Sequence, residues 1–79
     1  MATSLEELRT ACEGCHACPL GDTRTHLVFG VGDPNADLMF VGEAPGEQED
    51  LSGTPFVGRA GQLLDRYLEA VDIRRDRVY

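Results

Sequence analysis

The sequence predicts an α/β fold, a three-layer α/β/α arrangement with a mainly parallel central sheet, of which these residues form only the amino-terminal part. Residues 38–41, Leu-Met-Phe-Val, are an apolar run typical of a strand buried on both faces. A loop rich in glycine and proline follows at residues 42–58, and apolar residues then recur at helical spacing over residues 60–71. A strand, a loop and a helix in this order open a βαβ unit.

The remaining elements are short. Ser4 and Glu7 fit a capping box, so we expect a helix from Leu5 to about Cys12 that ends near Gly14. Residues 27–29 predict a short strand, which a turn at residues 33–35 separates from the strand at 38–41, so the two could pair as a small antiparallel edge. The loop at 42–58 is expected to form neither a strand nor a good helix, and Val78 and Tyr79 are interpreted as the start of a second strand.

The glycine-rich loop is the predicted ligand site. In open α/β sheets, ligands bind in the crevice beyond the carboxyl ends of the strands, where residues 42–58 would lie. Glycines let backbone N–H groups approach a ligand closely, and prolines fix the shape of the loop before binding. A loop of this length without a function is uncommon, so the sequence predicts a binding or catalytic site here.

Composition limits the protein's size and its partners. The chain has 79 residues and a formal charge of −7, with seven arginines and fourteen acidic residues, which taken alone disfavours nucleic acid. Five of the arginines nevertheless fall in the last part of the chain, at positions 59, 66, 74, 75 and 77. We expect residues 1–79 to be the amino-terminal portion of one domain of a longer protein. Without a signal peptide or a long apolar run, we also expect a cytoplasmic, reducing location and no membrane partner.

Three closely spaced cysteines predict a metal or redox site. Cys12, Cys15 and Cys18 form two overlapping C-x-x-C pairs in a segment that contains glycine and proline. This spacing brings two sulfurs to one ion or cluster edge, and it occurs in both zinc and iron–sulfur sites. A complete four-ligand site within the chain would need all three cysteines together with His16 or His26. The spacing alone leaves iron and zinc open.

Several segments in order resemble the start of an iron–sulfur uracil-DNA glycosylase, the group called family four. They are residues 15–21 (CHACPLG), 28–30 (VFG), 36–46 (ADLMFVGEAPG), 49–50 (ED) and 53–65 (GTPFVGRAGQLLD). The resemblance implies a domain spanning residues 1–79 and beyond that removes uracil from DNA by hydrolysing the N-glycosidic bond, in base excision repair. It also implies uracil-containing DNA as the partner and a monomer when full length.

The resemblance assigns roles to individual residues. Cys15 and Cys18 match two of the four cysteine ligands of a [4Fe–4S] cluster, the others lying beyond Tyr79. Phe56 matches the aromatic residue that stacks on the flipped base. The residues that match acidic or uracil-binding positions are Glu43 and Glu49 as catalytic candidates, with Gly42, Ala44, Pro45, Gly46 and Asp50 as substrate-binding candidates.

The expected chemistry is consistent with these residues. Excision requires a flipped base in a pocket with a stacking face, donors for the departing uracil anion and a carboxylate near the cationic sugar. Two rivals stay open, a non-catalytic uracil-DNA binding module and a small iron–sulfur or zinc domain. Related uracil-DNA-trapping proteins carry glutamine where Ala44 stands, and family five carries leucine where Glu43 stands, so these two residues favour the glycosylase.

Overall fold

A computed structural model of the chain describes residues 4–79. These residues form four α-helices, α1 (Leu5–Glu13), α2 (Leu20–Thr23), α3 (Glu47–Ser52) and α4 (Arg59–Ala70), followed by a 3-10 helix at Arg75–Arg77. Long irregular segments join the helices, above all the segment between α2 and α3. None of the helices formed by residues 4–79 is long and apolar enough to cross a membrane.

The predicted three-layer fold with a parallel sheet is wrong for residues 4–79, because these residues contain no β-strand. The nearest approach to a sheet lies at Tyr79, whose N–H donates to the Leu38 carbonyl at 3.1 Å while its own carbonyl accepts from the Phe40 N–H at 2.7 Å. In a parallel ladder, a residue of one strand bonds to the two residues that flank its partner in the other strand, as Tyr79 does here with Leu38 and Phe40. A ladder needs several such residues in succession, and here a single residue makes the contact.

The apolar run at 38–41 is also not buried on both faces as predicted. Phe40 is half-buried, whereas Met39 is 57% exposed and Val41 is 85% exposed. Because Met39 and Val41 stay exposed, the run lacks the two flanking layers that the prediction required. The predicted strand at 27–29 likewise lies in irregular backbone.

The two predicted helices are confirmed. α1 begins after Ser4, whose hydroxyl oxygen accepts from the Glu7 N–H at 3.1 Å, and Gly14 is the residue that follows its last turn. α4 runs one residue earlier at each end than the apolar spacing predicted. Helix ends of this kind are encoded locally, by a capping residue and by the spacing of apolar side chains.

The expectation that residues 42–58 contain no good helix is wrong, because α3 forms in the middle of this loop. Its first turn carries three acids, Glu47, Glu49 and Asp50, which the positive end of a helix dipole favours. α3 begins after Gly46 and ends at Gly53. The glycines that argued against a helix therefore lie at its two ends.

The buried core of residues 4–79 is small. Leu68 of α4 and Val78 are its buried apolar side chains, each 4% exposed. The radius of gyration is 13.5 Å, against about 12 Å for a compact domain of this length. α1 is attached to the irregular segment through Arg9, which stacks over the Phe29 ring with 4.9 Å to the centroid and donates to the Gly30 carbonyl at 2.8 Å.

Candidate functional site

A cavity of about 350 Å³ lies where the segment after residue 38 turns into the glycine-rich loop. Its lining is mainly apolar and comes from segments that are distant in sequence: residues 28–31, residues 39–45, Pro55 and Phe56, Leu64, Arg75, and the final Val78 and Tyr79. Five residues predicted for the site are brought together here, namely Gly42, Glu43, Ala44, Pro45 and Phe56. The cavity is large enough for a planar ligand of the size of a nucleobase.

Phe56 enters the cavity from an unusual backbone conformation. Its φ of 55° lies in the left-handed region, which costs a residue other than glycine about 1–2 kcal/mol. The ring reaches Gly42, where a methyl group would come within 3.2 Å of the Phe56 Cζ atom. Gly42 therefore leaves room for the aromatic ring at the start of the loop, and the ring forms one wall of the cavity.

The backbone of Phe56 packs directly against the first turns of α4. Gly61 is buried there, and a Cβ atom at this position would overlap the Phe56 carbonyl group. Only glycine permits an approach this close. The contact fixes the distance between the loop that carries Phe56 and the helix that follows it.

Arg75 binds two carbonyl groups of the same loop. Its Nη2 donates to the Pro55 carbonyl at 3.2 Å and its Nη1 to the Phe56 carbonyl at 3.2 Å. Nη1 also donates to Oδ1 of Asp65 on α4 at 2.6 Å. The sequence did not identify Arg75 as a site residue, because it lies between the predicted helix at 60–71 and the predicted strand that starts at Val78 and has no motif of its own.

Glu49 connects two parts of the glycine-rich loop by accepting hydrogen bonds from backbone amides on either side of α3. Its Oε1 accepts from the Gly46 N–H at 2.9 Å, and its Oε2 accepts from the N–H groups of Val57, at 2.9 Å, and Gly58. The bond from Gly58 is the main cause that lowers the pKa of the Glu49 carboxyl, against an opposing effect of desolvation, and the bonds from Val57 and Gly46 add to it. The carboxylate thus joins both ends of the loop segment that contains α3.

Asp50 attaches α3 to the segment after α2. Its Oδ1 accepts from the N–H groups of Thr25 at 2.8 Å and His26 at 3.2 Å, and the Thr25 bond is the main cause that lowers the pKa of the Asp50 carboxyl. Asp50, Glu49 and Gly46 do not line the cavity. Their predicted contacts with substrate stay predictions.

The cysteines lie away from the cavity. Cys15 and Cys18 are exposed, and Cys12 is half-buried in the last turns of α1. Arg24 caps this end of the helix by donating to the carbonyls of Cys12, Glu13 and Cys15 at 3.1–3.4 Å. The thiols of Cys15 and Cys18 are free and accessible to a metal. Thiolates are the ligands of iron–sulfur clusters and of structural zinc.

The described residues, 4–79, do not form a complete metal site by themselves. Within residues 4–79, no three His, Cys, Asp or Glu side chains gather in a way that could hold a metal ion. The two histidines are engaged elsewhere, His16 Nδ1 lying 2.7 Å from Asp22 Oδ1 and His26 Nδ1 lying 2.9 Å from the Asp50 carbonyl oxygen. The donor set therefore fits a pair of ligands contributed to a shared site and does not fit a four-ligand site built from these residues alone.

Comparison with known proteins assigns the chain to a family. The model of the uracil DNA glycosylase superfamily matches residues 29–79, which include every residue of the glycine-rich loop and the cavity wall formed by α4. Proteins named type-4 uracil-DNA glycosylase are similar over most of the chain. The one from Archaeoglobus fulgidus is 47% identical over 96% of the chain, the one from Sulfurisphaera tokodaii 48% over 96%, and the one from Thermotoga maritima 54% over 82%.

The chain spans only about a third of the length of these relatives, 38%, 35% and 34% respectively. The resemblance that the motifs indicated is confirmed, since the matched residues include the loop motif, Phe56 and the start of α4. The chain belongs to the uracil DNA glycosylase superfamily.

Proposed function

We propose that the full-length protein removes uracil from DNA by hydrolysing the N-glycosidic bond, as an enzyme of base excision repair. The observation that carries the proposal is the cavity that joins the turn at residues 42–45, with its single carboxylate Glu43, to the ring of Phe56. The similarity to proteins named type-4 uracil-DNA glycosylase supports the same activity. Uracil-containing DNA is the proposed partner of a monomeric, cytoplasmic protein.

Each side of the cavity has a function in this reaction. A uracil turned out of the DNA stacks on the Phe56 ring, and the apolar walls exclude water from the base. Cleavage leaves negative charge on the uracil, which backbone N–H groups of the Gly42–Gly46 turn stabilise. The Glu43 carboxylate, on the cavity lining, stabilises the cationic sugar and orients the attacking water.

Glu49 acts differently from Glu43 in this proposal. Both of its oxygens accept hydrogen bonds from backbone amides that lie on the two sides of α3. A carboxylate held in this way keeps the loop in shape. Glu49 therefore stays the second candidate for the catalytic carboxylate, and Glu43 is the first.

Cys15 and Cys18 would hold a [4Fe–4S] cluster together with two further ligands from outside residues 1–79. When bound, such a cluster ties its ligands together through iron–thiolate bonds. Arg24, which fixes the backbone of Cys12 and Cys15, would hold the cysteine segment ready to receive it. Neither the cysteines nor Arg24 line the cavity. The proposed excision chemistry therefore depends on the side chains of the cavity and not on the cluster.

The test is Glu43→Gln in the full-length protein, with Glu47→Gln as the matched control. Both substitutions remove one negative charge from an exposed residue of the same loop, but only Glu43 lines the cavity. We expect Glu43→Gln to slow single-turnover excision by ~10²–10⁴-fold while binding to uracil-containing DNA stays level or strengthens. Glu47→Gln should leave the excision rate unchanged.

Two results would contradict this proposal in different ways. An unchanged rate for Glu43→Gln would remove Glu43 from the chemistry and make Glu49 the candidate. Tight binding of uracil-containing DNA by the wild-type protein without any excision would show a non-catalytic binding module instead. The two measurements are the excision rate under enzyme excess and a binding titration at fixed salt.

A further inference from the structure

The position of the Phe56 ring depends on a backbone conformation that its own sequence does not favour. A φ of 55° is unfavourable for phenylalanine, and such a conformation persists only where the surrounding structure holds it. Gly61 leaves space for the Phe56 carbonyl but forms no bond that keeps it there. Groups that bind the peptides on either side of Phe56 supply the restraint: Glu49 accepts from the Val57 N–H, and a second group donates to the carbonyl oxygens of Pro55 and Phe56.

Arg75 supplies the part of this restraint that acts on the two carbonyl oxygens. The two terminal nitrogens of its guanidinium donate to two successive carbonyls, so the planar group fixes both their spacing and their orientation. Asp65 accepts from the same guanidinium at 2.6 Å and ties it to α4. With side chains 31% and 52% exposed, Arg75 and Asp65 are partly shielded from water, and such charge-assisted bonds are stronger than neutral ones.

We propose that Arg75 is the positioning residue that sets the Phe56 ring in the cavity, with Asp65 orienting the Arg75 guanidinium. The inference rests on the proposed function, since it assumes that the Phe56 ring receives the base. It adds to that function a role for Arg75, which acts by positioning the ring of Phe56. Asp65 orients the guanidinium of Arg75, and Arg75 binds the carbonyls of Pro55 and Phe56. These two carbonyls in turn fix the position of the ring beside Gly42.

The neighbouring Arg74 offers a matched control. Its Nε and Nη2 both donate to the carboxylate of Asp76 at 2.9 Å, and the side chains of this pair are 72% and 68% exposed. Arg74→Gln removes the same charge as Arg75→Gln, one residue away. Any effect of lost positive charge on the affinity for DNA phosphates will therefore appear in both variants.

The experiment is a double-substitution cycle in the full-length protein, read as single-turnover excision of uracil from DNA under enzyme excess. Arg75→Gln should slow excision by about fivefold to thirtyfold, part of the loss that removing the stacking ring itself causes. In a Phe56→Ala background, the same substitution should slow excision by less than about twofold, because the ring it positions is gone. Arg74→Gln should leave the rate unchanged in both backgrounds.

Each other outcome overturns the inference, and the cycle shows which step failed. If Phe56→Ala slows excision but Arg75→Gln does not, or if Arg75→Gln slows it equally in both backgrounds, Arg75 does not act through the ring. If Phe56→Ala leaves excision unchanged, the stacking role itself fails and the inference fails with it. Should Arg75→Gln not fold, Asp65→Asn, which keeps the size of the side chain, takes its place in the same cycle.

Discussion

At the scale of single residues, two acids of one loop have different surroundings that suit different tasks. Glu43 lies on the cavity lining, whereas Glu49 is turned inward and accepts from three backbone amides. Such bonds favour the ionised carboxylate, and they lower the pKa of Glu49. A charge held in this way contributes to the stability of the loop, and that contribution depends on pH.

Glu49→Gln in the full-length protein should therefore destabilise the fold more at neutral pH than in acid. Because the pKa of Glu49 is lower in the folded state than its ordinary value of 4.5, the stabilisation is fully present above that value and is lost as the pH falls through the folded-state pKa. We expect the melting temperature of the variant to be a few degrees below that of the wild type at pH 7, and the difference to shrink towards pH 3.

The comparison for this prediction is Glu47→Gln, which changes an exposed acid of the same helix. Its melting temperature at pH 7 should lie nearer to that of the wild type than that of Glu49→Gln does, because Glu47 shares the helix dipole with Glu49 while the three bonds from backbone amides belong to Glu49. A constant difference between Glu49→Gln and the wild type from pH 7 to pH 3 would mean that the ionised carboxylate does not stabilise the loop.

At the scale of elements, the contact between α4 and the preceding loop depends on one glycine inside the helix. Replacing a glycine in a helix by alanine usually stabilises it, by up to about 1 kcal/mol. At Gly61 the added Cβ would overlap the Phe56 carbonyl, so the loop would have to move away from the helix. Steric overlap of this kind costs more than helix propensity returns.

Gly61→Ala should lower the free energy of unfolding by about 1–3 kcal/mol, the usual cost of overpacking, and should slow excision because the Phe56 ring moves with its backbone. Gly14→Ala is the control, because a Cβ at Gly14 meets nothing within 4 Å. Chemical denaturation of the full-length protein measures both variants. Equal stability of Gly61→Ala and the wild type would contradict the close approach of the loop to α4.

The elements also show what the sequence could predict and what it could not. α1 and α4 are encoded by neighbouring residues, by the Ser4 cap and by apolar spacing, and both were predicted. The cavity residues Gly42–Pro45 and Phe56 were predicted because they lie in two segments, 36–46 and 53–65, that resemble the glycosylase family. Arg75 was missed because its partners Pro55, Phe56 and Asp65 are far away in sequence, and the sheet was predicted wrongly because an apolar run does not reveal what pairs with it.

At the scale of the whole molecule, much apolar surface of residues 4–79 faces outward. Leu63 and Tyr67 on α4 and Val71 directly after it are 48%, 63% and 62% exposed, although their spacing is that of a helix face that packs against other elements. Val41, next to the cavity, is more exposed still. Exposed apolar surface of this extent is typical of a contact surface, and the chain spans about a third of its relatives' length.

The proposed cluster is the other feature that depends on the whole protein. Cys15 and Cys18 are exposed and lie after α1, whereas Cys12 belongs to α1 and is half-buried. We therefore expect Cys15→Ser in the full-length, anaerobically purified protein to remove most of the bound iron together with its visible absorbance. Cys12→Ser should keep both the bound iron and the absorbance, because the Cys12 thiol is half-buried in α1 whereas the thiols of Cys15 and Cys18 are exposed after the helix.

Iron and zinc assays with an ultraviolet–visible spectrum on the same samples measure this prediction. An equal loss of iron in Cys12→Ser and Cys15→Ser would make Cys12 a ligand. Zinc in place of iron in the wild-type protein would show that the two thiols serve a zinc site, because thiolates bind both metals and the C-x-x-C spacing alone does not distinguish them. The single-turnover excision rate of Cys12→Ser should equal that of the wild type, because this substitution is expected to leave both the bound metal and the cavity unchanged.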